Sequence, residues 1–321
     1  MKLFTVCLAC LVLVFCSCNG QGSILPKSGG RPYEVLLVAN GGGSVAHGLE
    51  AELMKDVPGL PQREPMFDVS LTDSAHFVAG LRLARNIVIV SVDPGLFTSV
   101  RVRYERNVWA RPQMVVYVNA PSVDELNGAM PTVGRQVADL LAGSELKVEI
   151  ARLNAGCNEK ASGAVRKGFG YDIRIPVDMK SSKHGERFVW FSDNAASGMQ
   201  NICVYSYPGL ELDPVRALAM RDSVMRVNIP GERRGMYMRT AARTVMSGMS
   251  EQGGCSVMVS RGLWEMQGDA MGGPFVSRSV IDTVNRRVVV AEAFVYAPGM
   301  KKRNLMRQVE AVLHTFRKVT K

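Results

Sequence analysis

Between Trp264 and Glu292 the chain gathers its densest set of reactive side chains: Trp264, Glu265, Asp269, Arg278, Asp282 and Glu292. An indole beside carboxylates and a guanidinium suits sugar binding, and two carboxylates flanking a glycosidic bond perform its acid–base hydrolysis. Glu265 and Glu292 are therefore the candidate catalytic pair, expected on neighbouring strands. Trp264 and Arg278 are candidate binding groups. The competing reading is ordinary structure: a core indole, surface ion pairs and a tight turn at MGGPF.

Other frameworks are thin. His47, His76, His184 and His314 lack H-x-x-x-H spacing, and G-x-S-x-G and G-x-x-x-x-G-K-[ST] are both absent. After the apolar run YEVLLVAN, Gly41, Gly43 and Ala46 meet only the relaxed G-x-G-x-x-A pattern. That loop reads better as a flexible turn leading to Ser44 as a helix N-cap. No metal and no cofactor are expected.

Cysteine spacing carries a different chemistry. Lys2 precedes an apolar run over residues 3–15, which ends in Ser17-Cys18. The run falls short of the roughly 20 residues needed to span a bilayer and fits a secretory signal. A small residue before cysteine resembles a bacterial lipobox, so Cys18 is the candidate lipid-attachment residue, carrying diacylglycerol and a palmitate-type chain. Residues 1–17 are then a discarded signal, with Cys7, Cys10 and Cys16 as apolar filler, and 18–31 a lipidated Gly/Ser/Pro-rich tether. Two or three acyl chains hold firmly where one holds marginally. The expected location is the cell envelope, on the inner or outer membrane, facing the periplasm.

The 321 residues carry 47% hydrophobic and 21% charged side chains, enough apolar content for a packed core. Removing the signal, whose only charge is Lys2, lowers the formal net charge from +10 to +9. An exported basic protein faces anionic lipid, glycan or protein partners and not nucleic acid. Lys301, Lys302 and Arg303 form the basic cluster taken as a candidate membrane-facing patch. Cys157, Cys203 and Cys255 leave two readings open, one disulfide plus a thiol or three buried thiols, with the second preferred.

These groups need elements to position them. Strands are expected at 33–40, 66–71, 87–92, 100–104 and 114–118, and helices at 44–55, 75–83 and from 121 to a stop at Gly143-Ser144. Further on, strands are expected at 173–177, 188–191 and 202–207, with a helix from Asp213 to 225. An antiparallel series follows at 257–266, 275–281 and 287–296. Leu305, Met306, Val309, Val312, Leu313 and Phe316 mark a last amphipathic helix over 302–318. The fold class is mixed α+β in two halves, 32–155 and a strand-rich 170–321, each a mixed or antiparallel sheet with packed helices. VVYVNAP and AEAFVYAP each precede a helix, which suggests that the halves are related.

The segments RDSVMRVNIPG (221–231), GLWEMQGDAMGGPFVSRS (262–279) and AFVYAPGMKKRNLMRQVEAVLHTF (293–316) resemble a family of Bacteroidota lipoproteins, domain-of-unknown-function family 4837. PGLPQREPMFDV (58–69), RNIVIVSVD (85–93) and WARPQMVV (109–116) fit the same resemblance. It implies an exported, lipid-anchored envelope protein and transfers no catalytic residue. The expected role is binding or scaffolding without catalysis; the alternative is a periplasmic hydrolase of glycan or peptidoglycan.

Overall fold

In the computed structural model, residues 25–40 and 44–319 are described. Cys18, its signal segment and Gly41–Gly43 lie outside the described residues. In the N-terminal half, near-continuous apolar runs make the three central strands buried on both faces. β1 (Glu34–Ala39), β2 (Asp68–Thr72), β3 (Asn86–Val92), β4 (Arg101–Arg106) and β5 (Met114–Ala120) form one sheet in the order β2-β1-β3-β5-β4. All neighbours are parallel except the edge strand β4. Helices α1 (Ser44–Leu53) and α2 (Val123–Ala155) cover one face, burying Leu49, Leu53, Leu126 and Val137 against Val35, Leu37 and Val116.

Three expectations here are corrected. The helix expected at 75–83 is only a 3-10 turn at Leu81–Leu83. The Asp73 carboxylate accepts from the His76 amide at 2.9 Å, a local bond that competes with helix. The tether expected to run to residue 31 joins the fold earlier: Lys27 bridges Arg111, Gly29 bridges Ala84, and the Arg111 amide donates to the Pro26 carbonyl at 2.8 Å. Gly143-Ser144 does not stop α2, which runs on to Ala155. A glycine inside a helix costs only about 1 kcal/mol, and packing overrides it.

The packing that does so belongs to the other half. α2 starts on Ser122, whose hydroxyl accepts from the Glu125 amide at 3.2 Å. Leu126, Met130, Val133, Val137 and Leu141 face the first core, whereas Leu146, Ile150 and Leu153 pack into the second. Between the two sets, Glu145 takes the next position of the apolar stripe. It is buried, receiving Arg85 at 2.8 Å and Asn86 at 2.7 Å. One helix thus belongs to both cores.

Residues 156–170, the expected boundary between the halves, hold helix α3 (Glu159–Phe169). Asn158 caps its start, and Gly170 at φ 77° ends it. The C-terminal sheet is antiparallel, in the order β10-β12-β13-β14-β9-β8-β7, with β11 paired to β12. Its strands are β7 (Ser181–Gly185), β8 (Phe188–Ser192), β9 (Met199–Pro208), β10 (Tyr237–Thr240), β11 (Met246–Gln252), β12 (Cys255–Gln267), β13 (Gly272–Asp282) and β14 (Arg287–Tyr296). MGGPF is not a turn: Gly272 and Gly273 lie in β13, where a Cβ on Gly273 would clash with the Val295 carbonyl. The two sheets differ in strand order and direction, so the similar ends of the halves do not reflect one repeated topology.

Period-two alternation sends side chains of this sheet to two separate cores. One core lies under α4 (Pro214–Asn228) and holds Met225, Tyr205, Phe275 and Phe294. The other lies under α3 and α5 (Arg303–His314) and holds Val165, Val276, Ala291, Val309 and Leu313. Burial of Met306, Val309, Val312 and Leu313 contributes roughly 1.5–3 kcal/mol each before the entropy of ordering is subtracted. The chain ends in β15 (Arg317–Lys318), paired with β6 (Tyr171–Asp172).

The expected basic patch is a joint between the halves. α5 has no side-chain cap of its own. The Lys302 and Arg303 amides donate instead to the Glu64 carboxylate of the other half at 2.7 and 2.9 Å. Arg303 also reaches Pro65 O at 2.7 Å and Asp68 at 2.6 Å. Lys302 and Arg303 are 6% and 4% exposed, while Lys301 stays on the surface. Arg303 thus has a carboxylate partner in Asp68, and the Lys302 ammonium donates to the Met300 carbonyl at 2.8 Å. Glu64→Ala is expected to destabilise the protein by about 1–3 kcal/mol in urea denaturation, because it strips a cap and weakens a buried cation's surroundings. A loss below about 0.5 kcal/mol, typical of surface substitutions, contradicts this account of the joint.

Candidate functional site

Strand register separates the residues that looked like one catalytic set. On β13, Gly272 pairs with Glu265 and Ser277 pairs with Glu292, so β13 lies between the two glutamates. The pairing positions differ in parity, which puts the carboxylates on opposite faces of the sheet. Glu265 forms a half-exposed ion pair with Arg239 at 2.6 Å. Glu292 is fully buried on the α4 side. Trp264 is a core side chain, its indole N–H donating to Val295 O at 3.2 Å and its ring edge-on to Phe294. No acid–base pair and no sugar platform forms from these residues.

Glu292 is instead the counter-ion of Arg221, which reaches it from α4 through Nε at 3.0 Å and Nη2 at 2.7 Å. Arg221 also donates to Thr240 at 2.8 Å and lies 4.0 Å from the centroid of the Phe275 ring. Tyr205 donates its hydroxyl to Glu292 at 3.2 Å. Burial pushes the Glu292 carboxyl up, and Arg221 pulls it back. Every charged group of this cluster has a partner, so it serves as an internal crosslink from α4 to the sheet.

The opposite face of the same strands holds a second buried guanidinium in a different state. Val276, Arg278 and Val280 alternate along β13, so Arg278 interrupts an apolar stripe and is 6% exposed. Arg261 interrupts the corresponding stripe of β12 between Val259 and Leu263. The register pairs Val259 with Arg278 and Arg261 with Val276, making the arginines diagonal neighbours on one face. From α5, Glu310 takes Arg261 in a two-pronged ion pair. One turn later His314 accepts from Arg278 Nη2 at 2.7 Å. The remaining partner is neutral: Arg278 Nη1 donates to Gln252 Oε1 at 2.5 Å.

Gln252 is fixed by its other end, since its amide nitrogen donates to the His314 carbonyl at 2.6 Å. It closes β11 just before Gly253 and Gly254, whose φ of 58° and 76° fit a two-residue hairpin turn. Burial, followed by the Arg278 and Arg261 charges, pushes the His314 imidazole down to about 4. It is therefore neutral near pH 7. Burial also lowers the Arg278 pKa. A guanidinium has five N–H groups. Here two are used, and the buried Nε has no partner among the described residues.

Arg278 and His314 line a cavity of about 680 Å³, within the roughly 300–1,000 Å³ of small-molecule sites. Ile150 of α2, Val257 of β12 and Val280 and Ile281 of β13 supply apolar wall. Tyr171 and Phe316 add a stacked pair, with centroids 4.7 Å apart and planes at 18°. Arg174, Arg317 and Lys318 are the other cations at this cavity and Asp172 is its carboxylate. Asp172 is engaged by Arg166 at 2.7 Å, and Lys318 by Asp282 at 3.0 Å. A smaller cavity of about 370 Å³ lies between the halves and touches His314, Glu310 and Arg261 from the other side.

Sequence reasoning singled out Arg278 but grouped it with Trp264, which the register places on the other face; Gln252 and His314 were missed as its partners. A charged residue inside an apolar stripe was the available signal, and it marks Arg261, Arg278 and Glu292 alike. Cys157, Cys203 and Cys255 are free thiols. Among the described residues no His/Cys/Asp/Glu group could hold a metal, and no helix is long and apolar enough to cross a membrane.

Residues 158–315 match the family model described as Domain of unknown function (DUF4837), and residues 28–154 match Domain of unknown function (DUF8532). No curated protein matches. Similar solved structures include a crystal structure from Bacteroides thetaiotaomicron VPI-5482. It is 14% identical over 48% of this chain and 47% of that one, with a TM-score of 0.23. The chain thus spans about half the length of that protein.

The depressed His314 pKa fixes a sign. A histidine kept neutral in the fold stabilises it above the unfolded value of 6.5, and this contribution is lost as pH falls from 6.5 towards about 4. The loss is expected to reach on the order of 3 kcal/mol. His314→Gln should flatten this acid limb of the stability profile, and the His314 ring resonance should titrate near pH 4. A midpoint above 6 contradicts the arrangement.

Proposed function

We propose that this chain, whose residues 158–315 are a DUF4837 domain, is a lipid-anchored binding protein of the bacterial cell envelope, facing the periplasm and holding a small, largely apolar molecule without transforming it. The observation that carries the reading is the 680 Å³ cavity, with its Tyr171–Phe316 stack and buried polar end at Arg278. Its side chains suit holding better than chemistry. His314 uses Nε2 to accept from Arg278 and has too low a pKa for a base near pH 7. Asp172 is tied to Arg166, and the Glu265–Glu292 pair that a glycan hydrolase requires is divided between two faces.

Cys18 supplies the anchor in this reading. The fold begins to hold the chain at Pro26, so the eight residue steps from Cys18 reach at most about 28 Å even fully extended. The body therefore stays near its membrane, where apolar molecules concentrate.

The test is native mass spectrometry of the full chain extracted from its own membranes in mild detergent. The wild type should carry a small-molecule mass, released on denaturation, that Val280→Trp loses by filling the cavity. Cys18→Ala should move the protein to the soluble fraction or leave it unprocessed. A bare wild-type mass contradicts binding, and undisturbed membrane partitioning of Cys18→Ala contradicts the anchor.

A further inference from the structure

We propose that the molecule held in this cavity carries a single carboxylate, seated on Arg278, with an acyl or aryl chain lying against Tyr171 and Phe316. The inference rests on the binding reading above and adds the chemical class of the ligand.

Charge accounting leads there. The group formed by Arg261, Arg278, Glu310, His314 and Gln252 holds two guanidiniums and one carboxylate. Glu310 is committed to Arg261 by both oxygens. Among the described residues Arg278 has only neutral acceptors, a glutamine carbonyl and an imidazole nitrogen. One positive charge is therefore left unmatched in a desolvated site, an arrangement that is costly until an anion arrives. Glu292 cannot supply it, because the register turns that carboxylate to the far face, where Arg221 takes it. Arg221 and Arg278 are both buried cations, on opposite faces of one sheet; one has its carboxylate and the other lines a cavity.

The shape of the unmatched group narrows the anion. Gln252 and His314 hold the guanidinium plane in place while leaving N–H groups on both terminal nitrogens unused. A planar fork matches a carboxylate through two parallel hydrogen bonds. At the buried end the surplus is one charge, which calls for one negative charge there. The apolar wall of Ile150, Val257, Val280, Tyr171 and Phe316 calls for an uncharged hydrocarbon body lying against it. Arg174 and Arg317 at the rim, sharing Asp172 at 3.9 and 3.7 Å, favour the approach of anions over cations.

The experiment titrates the full chain in nanodiscs with octanoate, octanol and octyl phosphate by calorimetry, with empty nanodiscs subtracted. Octanoate is expected to saturate one site per chain and to bind at least tenfold more tightly than octanol. Arg278→Gln should erase that tenfold preference, and Arg278→Lys should restore part of it. Should Arg278→Gln fail to fold, the wild-type ratio decides, with Val280→Trp required to abolish binding of both probes. Equal binding of octanoate and octanol overturns the proposal, as does full octanoate affinity in folded Arg278→Gln. Preference for octyl phosphate reassigns the head group and overturns the carboxylate. If membrane-extracted protein carries a ligand but octanoate does not bind, the carboxylate inference fails and the binding function stands. If the protein is bare and no probe binds, both fail.

Discussion

Glu310 stands between two guanidiniums, half-buried Arg261 and buried Arg278, and can neutralise only one. That constraint links the docking of α5 to the character of the cavity. The helix supplies Glu310 and His314 one turn apart on its sheet-facing side, and the sheet answers with Arg261 and Arg278 on one diagonal. The Arg261–Glu310 pair ties the helix to β12. The Arg278–His314 contact sets the cavity's deep end. Had Arg278 received a carboxylate of its own, as Arg221 did, the site would be an internal crosslink with no charge left to offer.

The rest of the molecule keeps these four residues in place. α2 contributes to both hydrophobic cores and crosses from one to the other at Glu145, where Arg85 and Asn86 satisfy the buried carboxylate. Glu64 of the first half caps α5 of the second, so the helix that carries Glu310 and His314 is fixed at its start by the opposite half of the chain. At its end, the Gln252 amide donates to the His314 carbonyl, and β15 pairs with β6 to bring Phe316 over Tyr171. The two halves therefore differ in topology and are still bound into one functional body, with the larger cavity lined by Ile150 of the bridging helix.

Much of this frame was legible in the sequence, in specific places. Alternation over 257–266, 275–281 and 287–296 located β12, β13 and β14, and the apolar spacing from Leu305 to Phe316 located α5. Local rules failed where distant packing decides. Gly143-Ser144 reads as a stop until a second core lies beyond it, and Lys302-Arg303 reads as a surface patch until Glu64 and Asp68 arrive from about 240 residues earlier. The site was half legible. Arg278 stood out as a polar group in a strand, but its partners His314 and Gln252 come from α5 and β11, and no local pattern joins them. Trp264 and Glu292 stood out for the wrong reason, since residue type without strand register cannot say which face a side chain occupies.

The measurement that bears most directly on the unmatched charge of Arg278 is an experimental structure of the chain purified from its own envelope without exchange of bound molecules. The account predicts a carboxylate oxygen within about 2.7–3.2 Å of an Arg278 terminal nitrogen, with its hydrocarbon body against Tyr171 and Phe316. Arg278 paired instead with a carboxylate of the protein itself, beside a cavity filled with water, contradicts it.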